Sequence, residues 1–153
     1  MFPETPDRKI DLCPAALDAE APGGLYAFRS DPATDRYPLA LISPASEKTV
    51  SSTMGELRAR SAVLQMNPAD AKARGLSQDD PVRVFNDLGE IQVPVGLNPE
   101  MRPGTVSVPK GLWRKSTYNG STSNALVPDS LTDVGGGACF NDARVEVALL
   151  GRH

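Results

Sequence analysis

A small closed β-barrel is the fold class this sequence predicts, on three observations. Gly (13) and Pro (14) are plentiful while aromatics make up 5%, a balance that favours short strands and tight turns over a helical bundle. Apolar residues come in short runs or in strict alternation, the period of a pleated strand. Helix start and stop signals coincide in one short segment, and one long polar stretch precedes the last strand. Five or six strands with a short helix and a long loop close well as a barrel.

In order, residues 1–37 lack sustained periodicity, and Pro3, Pro6, Pro14, Pro22 and Pro32 interrupt any regular element. Leu25–Phe28 is expected to be one short strand. The stretch as a whole is expected to be an extended tail, or a connector cut from a larger protein, ahead of a barrel over residues 38–150. Leu39–Ile42 and Val63–Met66 have the apolar runs of buried strands. Asn67–Gly75 carries the helix signals: Asn67 suits the N-cap, Pro68 the first turn, Asp70 the positive end, Lys72 and Arg74 the negative end, and Gly75 the stop.

Pro81–Phe85 and Glu90–Val95 alternate, with Val82 and Val84 on the face opposite Arg83, and Ile91, Val93 and Val95 opposite Gln92 and Pro94. Asn86–Gly89 joins them as a hairpin turn with a glycine available for positive φ. Asn98–Gly104 is a second turn leading into Thr105–Pro109. Residues 110–142 hold no regular element by pattern, and Ala143–Leu149 closes the barrel as an alternating strand.

The 153 residues can bury a core without staples. A formal net charge of −3 without a basic block argues against general nucleic-acid binding. No apolar run approaches the ~20 residues of a membrane span, and Met1–Asp7 lacks the basic and apolar regions of a secretory signal. Cys13 and Cys139 are far apart and His153 is the single histidine, so neither a metal site nor a Ser-His or Cys-His pair is expected. No catalytic residue is predicted. Two such thiols fit a reducing, cytoplasmic setting.

The chemistry-bearing stretch is the loop after the first strand. Ser43, Ser46, Thr49, Ser51, Ser52 and Thr53 crowd it with hydroxyls, and Lys48 adds one cation. Hydroxyls and free N–H groups at a strand end can cradle phosphate oxygens, or they can simply satisfy their own backbone. A polar loop of ~30 residues is functional or disordered more often than idle. Trp113 there either anchors the loop or meets a ligand, and the amides of Asn119 and Asn124 suit a heterocycle edge.

In order and spacing, Leu39–Gly55, Met66–Gly75, Asp80–Gly89, Arg102–Val108 and Asn124–Val147 resemble the molybdopterin dinucleotide-binding, C-terminal domain of the molybdopterin oxidoreductase (DMSO reductase) family. The resemblance implies a closed, six-stranded double-psi β-barrel with one or two short helices. It implies that Ser43, Pro44, Ala45, Ser46, Lys48, Thr49, Ser51, Ser52 and Thr53 contact the pyranopterin and diphosphate. Lys48 and hydroxyls stand where the family often has Arg or His. Asn124 matches the Asn of the family's Asn-x-Leu-Thr motif, with Val127 in place of its Thr. Asn141 matches a later cofactor contact, and Trp113 and Tyr118 would approach the substrate funnel. Asn67 and Asp70 are expected to cap the helix.

The implied cofactor is a molybdopterin guanine dinucleotide whose pterin holds molybdenum or tungsten, present in the full enzyme. The implied partners are its remaining domains or subunits, an iron–sulfur domain among them, and the isolated chain is expected to be inactive. A full enzyme carrying a signal would be periplasmic. Two other readings stand beside this one: a stand-alone small subunit, as in formylmethanofuran dehydrogenases, and a cofactor-free barrel that binds other proteins.

Overall fold

The computed structural model describes residues 3–20, 23–24, 27, 34–46, 51–55, 61–132 and 135–151. The chain divides into two units, Met1–Asp31 with Ser130–Ala138, and Pro32–Asp129 with Cys139–His153.

Among its described residues the first unit contains one helix, α1 (Ala15–Glu20), in which the Asp18 N–H donates to the Pro14 carbonyl at 3.0 Å. This corrects the expectation that proline interrupts every element before residue 37. Pro14 lies just outside the helix, where its missing N–H costs nothing, and its carbonyl accepts the first bond. The strand expected at Leu25–Phe28 lies outside the described residues. Leu131 pairs with Ala138 across a glycine turn in which Thr132 Oγ1 accepts the Gly137 N–H at 2.9 Å.

The second unit is the barrel: β1 (Leu39–Ile42), β2 (Leu64–Met66), α2 (Pro68–Ala73), β3 (Pro81–Phe85), β4 (Glu90–Leu97), β5 (Thr105–Ser107) and β6 (Ala143–Leu149). The strands close in the order β1-β5-β2-β4-β3-β6. β1 runs parallel to β5 and β2 parallel to β4, while the other four neighbours are antiparallel. Alternation puts one face of each strand inside. Leu39, Leu41, Leu64, Met66, Val82, Val84, Ile91, Val93, Val95, Val106, Val145 and Val147 fill the interior. At roughly 1.5–3 kcal/mol for each buried aliphatic side chain, this core is the main driving force of the unit.

Strand ends differ from the pattern by a few residues. β4 runs on to Leu97, with Pro94 opposite Pro81 in the β3 ladder, next to the bond that Val95 N–H donates to Asp80 O at 2.9 Å. β5 stops at Ser107 rather than Pro109, since Pro109 has no N–H to donate. Its ladder with β1 continues all the same, through Val108 N–H to Ile42 O at 3.1 Å and Lys110 N–H to Pro44 O at 3.0 Å. Residues 110–142, where no element was expected, hold two 3₁₀ turns, Arg114–Ser116 and Ser123–Leu126. Such turns leave no period in a sequence.

The register assigns every loop to an end. β1, β3 and β5 finish, and β2, β4 and β6 begin, at one end of the barrel. The opposite end is closed by α2. There Asn67 Oδ1 caps the helix by accepting the Ala69 N–H at 2.8 Å, and its Nδ2 donates to Met101 O at 2.7 Å. Asp70 Oδ2 accepts the Gly104 N–H at 2.7 Å. Asn67 thus caps the helix as expected, while the Asp70 carboxylate, expected to cap as well, is instead bonded to the turn ahead of β5.

Candidate functional site

The end of the barrel away from α2 is where Ser43 and Asn141, two of the residues singled out for cofactor contact, come together. The segments after β1 and β5 leave from it, and Asn141 arrives two residues ahead of β6. Asn141 Oδ1 accepts the Ser43 N–H at 3.1 Å, a link between residues 98 apart in sequence. That bond occupies the amide oxygen, and the Nδ2 donor of this exposed side chain has no hydrogen-bond partner among the described residues. Ser43 Oγ is buried and has no hydrogen-bond partner among the described residues. An unsatisfied buried hydroxyl is costly, and its place at a strand end suits an incoming polar ligand.

Pro44 and Ala45 are exposed and Ser46 half-buried. Lys48 and Thr49 fall among residues 47–50, outside the described part of the chain. Ser51, Ser52 and Thr53 are exposed, and their backbone rests on residues 111–113. The Trp113 indole N–H donates to Ser52 O at 2.6 Å, so the tryptophan anchors the loop. Lys115 Nζ stands 5.4 Å from its ring centroid. Trp113 also forms one wall of a cleft of about 550 Å³ lined by Ser52, Leu112, Arg114, Lys115 and Thr122. Tyr118 is exposed, and its backbone N–H donates to Gln92 O at 2.8 Å.

Asn124 lies in the turn Ser123–Leu126, exposed, with no hydrogen-bond partner among the described residues. The turn owes its place to a residue that sequence reasoning treated only as part of a hairpin. Asn86 Nδ2 donates to Leu126 O at 2.9 Å and to Arg144 O at 3.1 Å. Its Oδ1 accepts the N–H groups of Leu88 at 2.9 Å and Gly89 at 3.3 Å. Gly89 lets the Ala125 carbonyl approach, since a Cβ there would come within 2.9 Å of it. The available signal was an Asn opening a turn, which points to a local bond and not to partners 40 and 58 residues away.

Next to the turn, the Tyr37 hydroxyl donates to Asp87 Oδ1 at 2.7 Å, and Arg36 pairs with the same carboxylate at 2.8 Å. Burial, followed by that hydrogen bond, pushes the Tyr37 phenol above its ordinary value. Among the described residues, no group of three or more His, Cys, Asp or Glu side chains could hold a metal ion. The arrangement is one of neutral donors with nearby cations, suited to binding a polar or anionic group.

Residues 39–144 match the family described as molydopterin dinucleotide binding domain. The chain is 28% identical over 148 residues to YoaE, a probable oxidoreductase of Bacillus subtilis, covering 94% of this chain and 22% of that protein. It is 37% identical over 129 residues to the dimethyl sulfoxide reductase DmsA of Escherichia coli, covering 71% of this chain and 16% of that one. The chain thus spans less than a quarter of the length of either relative. Acetylene hydratase from Pelobacter acetylenicus shares the fold, with a TM-score of 0.63 at 16% identity over 74% of this chain and 18% of its own. The closed six-stranded barrel is of the double-psi type. With the match running from the first residue of β1 into β6, the chain belongs to the molybdopterin dinucleotide-binding domain family.

Proposed function

We propose that this chain caps the dinucleotide cofactor of a larger molybdenum or tungsten oxidoreductase, using the barrel end opposite α2. The observation that carries this is the Ser43–Asn141 junction, where a strand end, a buried unsatisfied hydroxyl and the amide of an exposed side chain converge. The group fits the residues present: a diphosphate needs several donors, and Ser43, Ser51, Ser52, Thr53, Asn124 and Asn141 can supply them. Lys48 would add a charge-assisted contact. When bound, the cofactor supplies the redox chemistry through its pterin-held metal.

This chain's own part is to orient and enclose. The hydroxyl loop holds the phosphates, and Asn124 and Asn141 present amides to a heterocycle edge, with guanine the base we assign. Trp113 and Tyr118 face the route by which substrate arrives. Residues 1–37 serve as the connector to the remaining domains, an iron–sulfur domain among them, in a cytoplasmic enzyme. Titrating guanosine diphosphate into the ¹⁵N-labelled chain tests the reading. Amide shifts should cluster at Ser43, Ser51–Thr53, Asn124 and Asn141. Shifts centred on α2, or none at saturating ligand, would sink it.

A further inference from the structure

We infer that residues 110–116 act as a template for the loop after β1, with Trp113 as the positioning residue that seats its hydroxyls. This rests on the reading of that loop as the one that receives the cofactor's phosphates.

The template touches the loop at its start, middle and end. The Lys110 N–H donates to Pro44 O at 3.0 Å, just past β1. The Ala62 N–H donates to Ser116 O at 2.7 Å, just ahead of β2. Between these ties, Trp113 Nε1 donates to Ser52 O at 2.6 Å. The Ser116 N–H returns to Trp113 O at 2.8 Å, fixing the backbone from which the indole projects.

Two glycines mark how closely the segments approach. A Cβ on Gly55 would overlap Nε1, Cδ1 and Cε2 of Trp113. A Cβ on Gly111, whose φ is +73°, would overlap the Ser51 carbonyl group and the Ser52 nitrogen. Ser51 (φ 52°) and Met54 (φ 69°) hold left-handed conformations that non-glycine residues keep only where the surroundings over-determine them. Trp113 stays 39% exposed, so filling the core does not account for it. The indole spends its N–H and its edge on Ser51–Gly55, the stretch that carries three of the candidate hydroxyls.

The test uses the full chain, its Trp113→Phe variant, and a Gly55→Ala variant that displaces the indole without removing its N–H. Two readouts are taken: hydrogen exchange at the Ser52–Gly55 amides, and affinity for inorganic diphosphate by NMR titration. In both variants exchange at Ser52–Gly55 should quicken about fivefold, the equilibrium weight of one neutral hydrogen bond, with the β3 and β4 amides unchanged. Diphosphate should bind weaker by a similar factor. Emission from Trp113, the single tryptophan, should shift to the red in Gly55→Ala.

Unchanged exchange in both variants overturns the template. Faster exchange with undiminished diphosphate affinity overturns the positioning role, leaving a packing contact. A wild-type chain that binds no diphosphate sinks the cofactor reading and the positioning role with it. Exchange that still quickens in the variants tells that outcome apart from a failed clamp.

Discussion

Asn141 accepts the backbone N–H of Ser43 through its side-chain oxygen at 3.1 Å, and so ties the end of β1 to the approach to β6. The two possible roles of this amide separate by substitution. Asn141→Asp keeps an acceptor for Ser43 but replaces the amide donor with negative charge. Its unfolding free energy should stay within about 0.5 kcal/mol of wild type, while diphosphate binds about tenfold more weakly. Asn141→Ala should lose about 1 kcal/mol in urea unfolding and bind more weakly as well.

Asn86 is expected to matter most for stability among the polar residues at this end. Asn86→Ala removes two donated and two accepted hydrogen bonds and strands the buried Leu126 carbonyl. A loss of about 2–4 kcal/mol follows, read as a fall in the urea midpoint at constant slope. Amide shifts should spread to Ser123–Leu126, since that turn loses its tether.

The Tyr37 phenol supplies a pH signature. Its affinity for the proton is raised on folding above the ordinary value of 10.0, by burial first and by the Asp87 bond second. The folded chain therefore holds the proton more tightly than the unfolded one. The stability it contributes is complete below pH 10 and is lost as pH rises through the raised folded value. Denaturant midpoints measured across that range should fall more steeply for wild type than for Tyr37→Phe. Parallel curves would exclude the linkage.

In the larger enzyme proposed to carry this domain, Lys48→Ala combined with Asn124→Ala should lower pterin retention while the barrel stays folded. Neutral contacts contribute ~1 kcal/mol each and a charged one somewhat more, so retention should drop by about one to two orders of magnitude. Released pterin, measured by fluorescence after oxidation, checks this. Full occupancy and activity in the double variant would show that the face has been misassigned.

The strands were legible where one face is buried and the other wet. Val82, Val84, Val145 and Val147 alternate with polar neighbours, and β3 and β6 begin and end at the expected residues. The helix α2 was legible through its caps. What stayed hidden depends on partners distant in sequence. Nothing local marks Asn86 as the tether of Leu126, or Trp113 as the clasp on Ser52. Helix α1 was obscured because flanking prolines read as breaks, although a proline just outside a helix does not disturb it. Ser43 and Asn141 were each identified, but their contact requires the β1–β6 pairing that brings them together.

Closure of the barrel has a consequence for how this chain can join a larger assembly. Each of the six strands already has a hydrogen-bonded neighbour on both sides. The barrel's own ladders therefore leave no edge for a partner to extend, which takes the six barrel strands out of recruitment by strand addition and out of the edge-to-edge pairing that seeds aggregation. Whatever docks on this barrel must do so through loops and side chains. Those contacts can be remodelled one residue at a time, so partners and substrates can change around the barrel while its pairing stays the same.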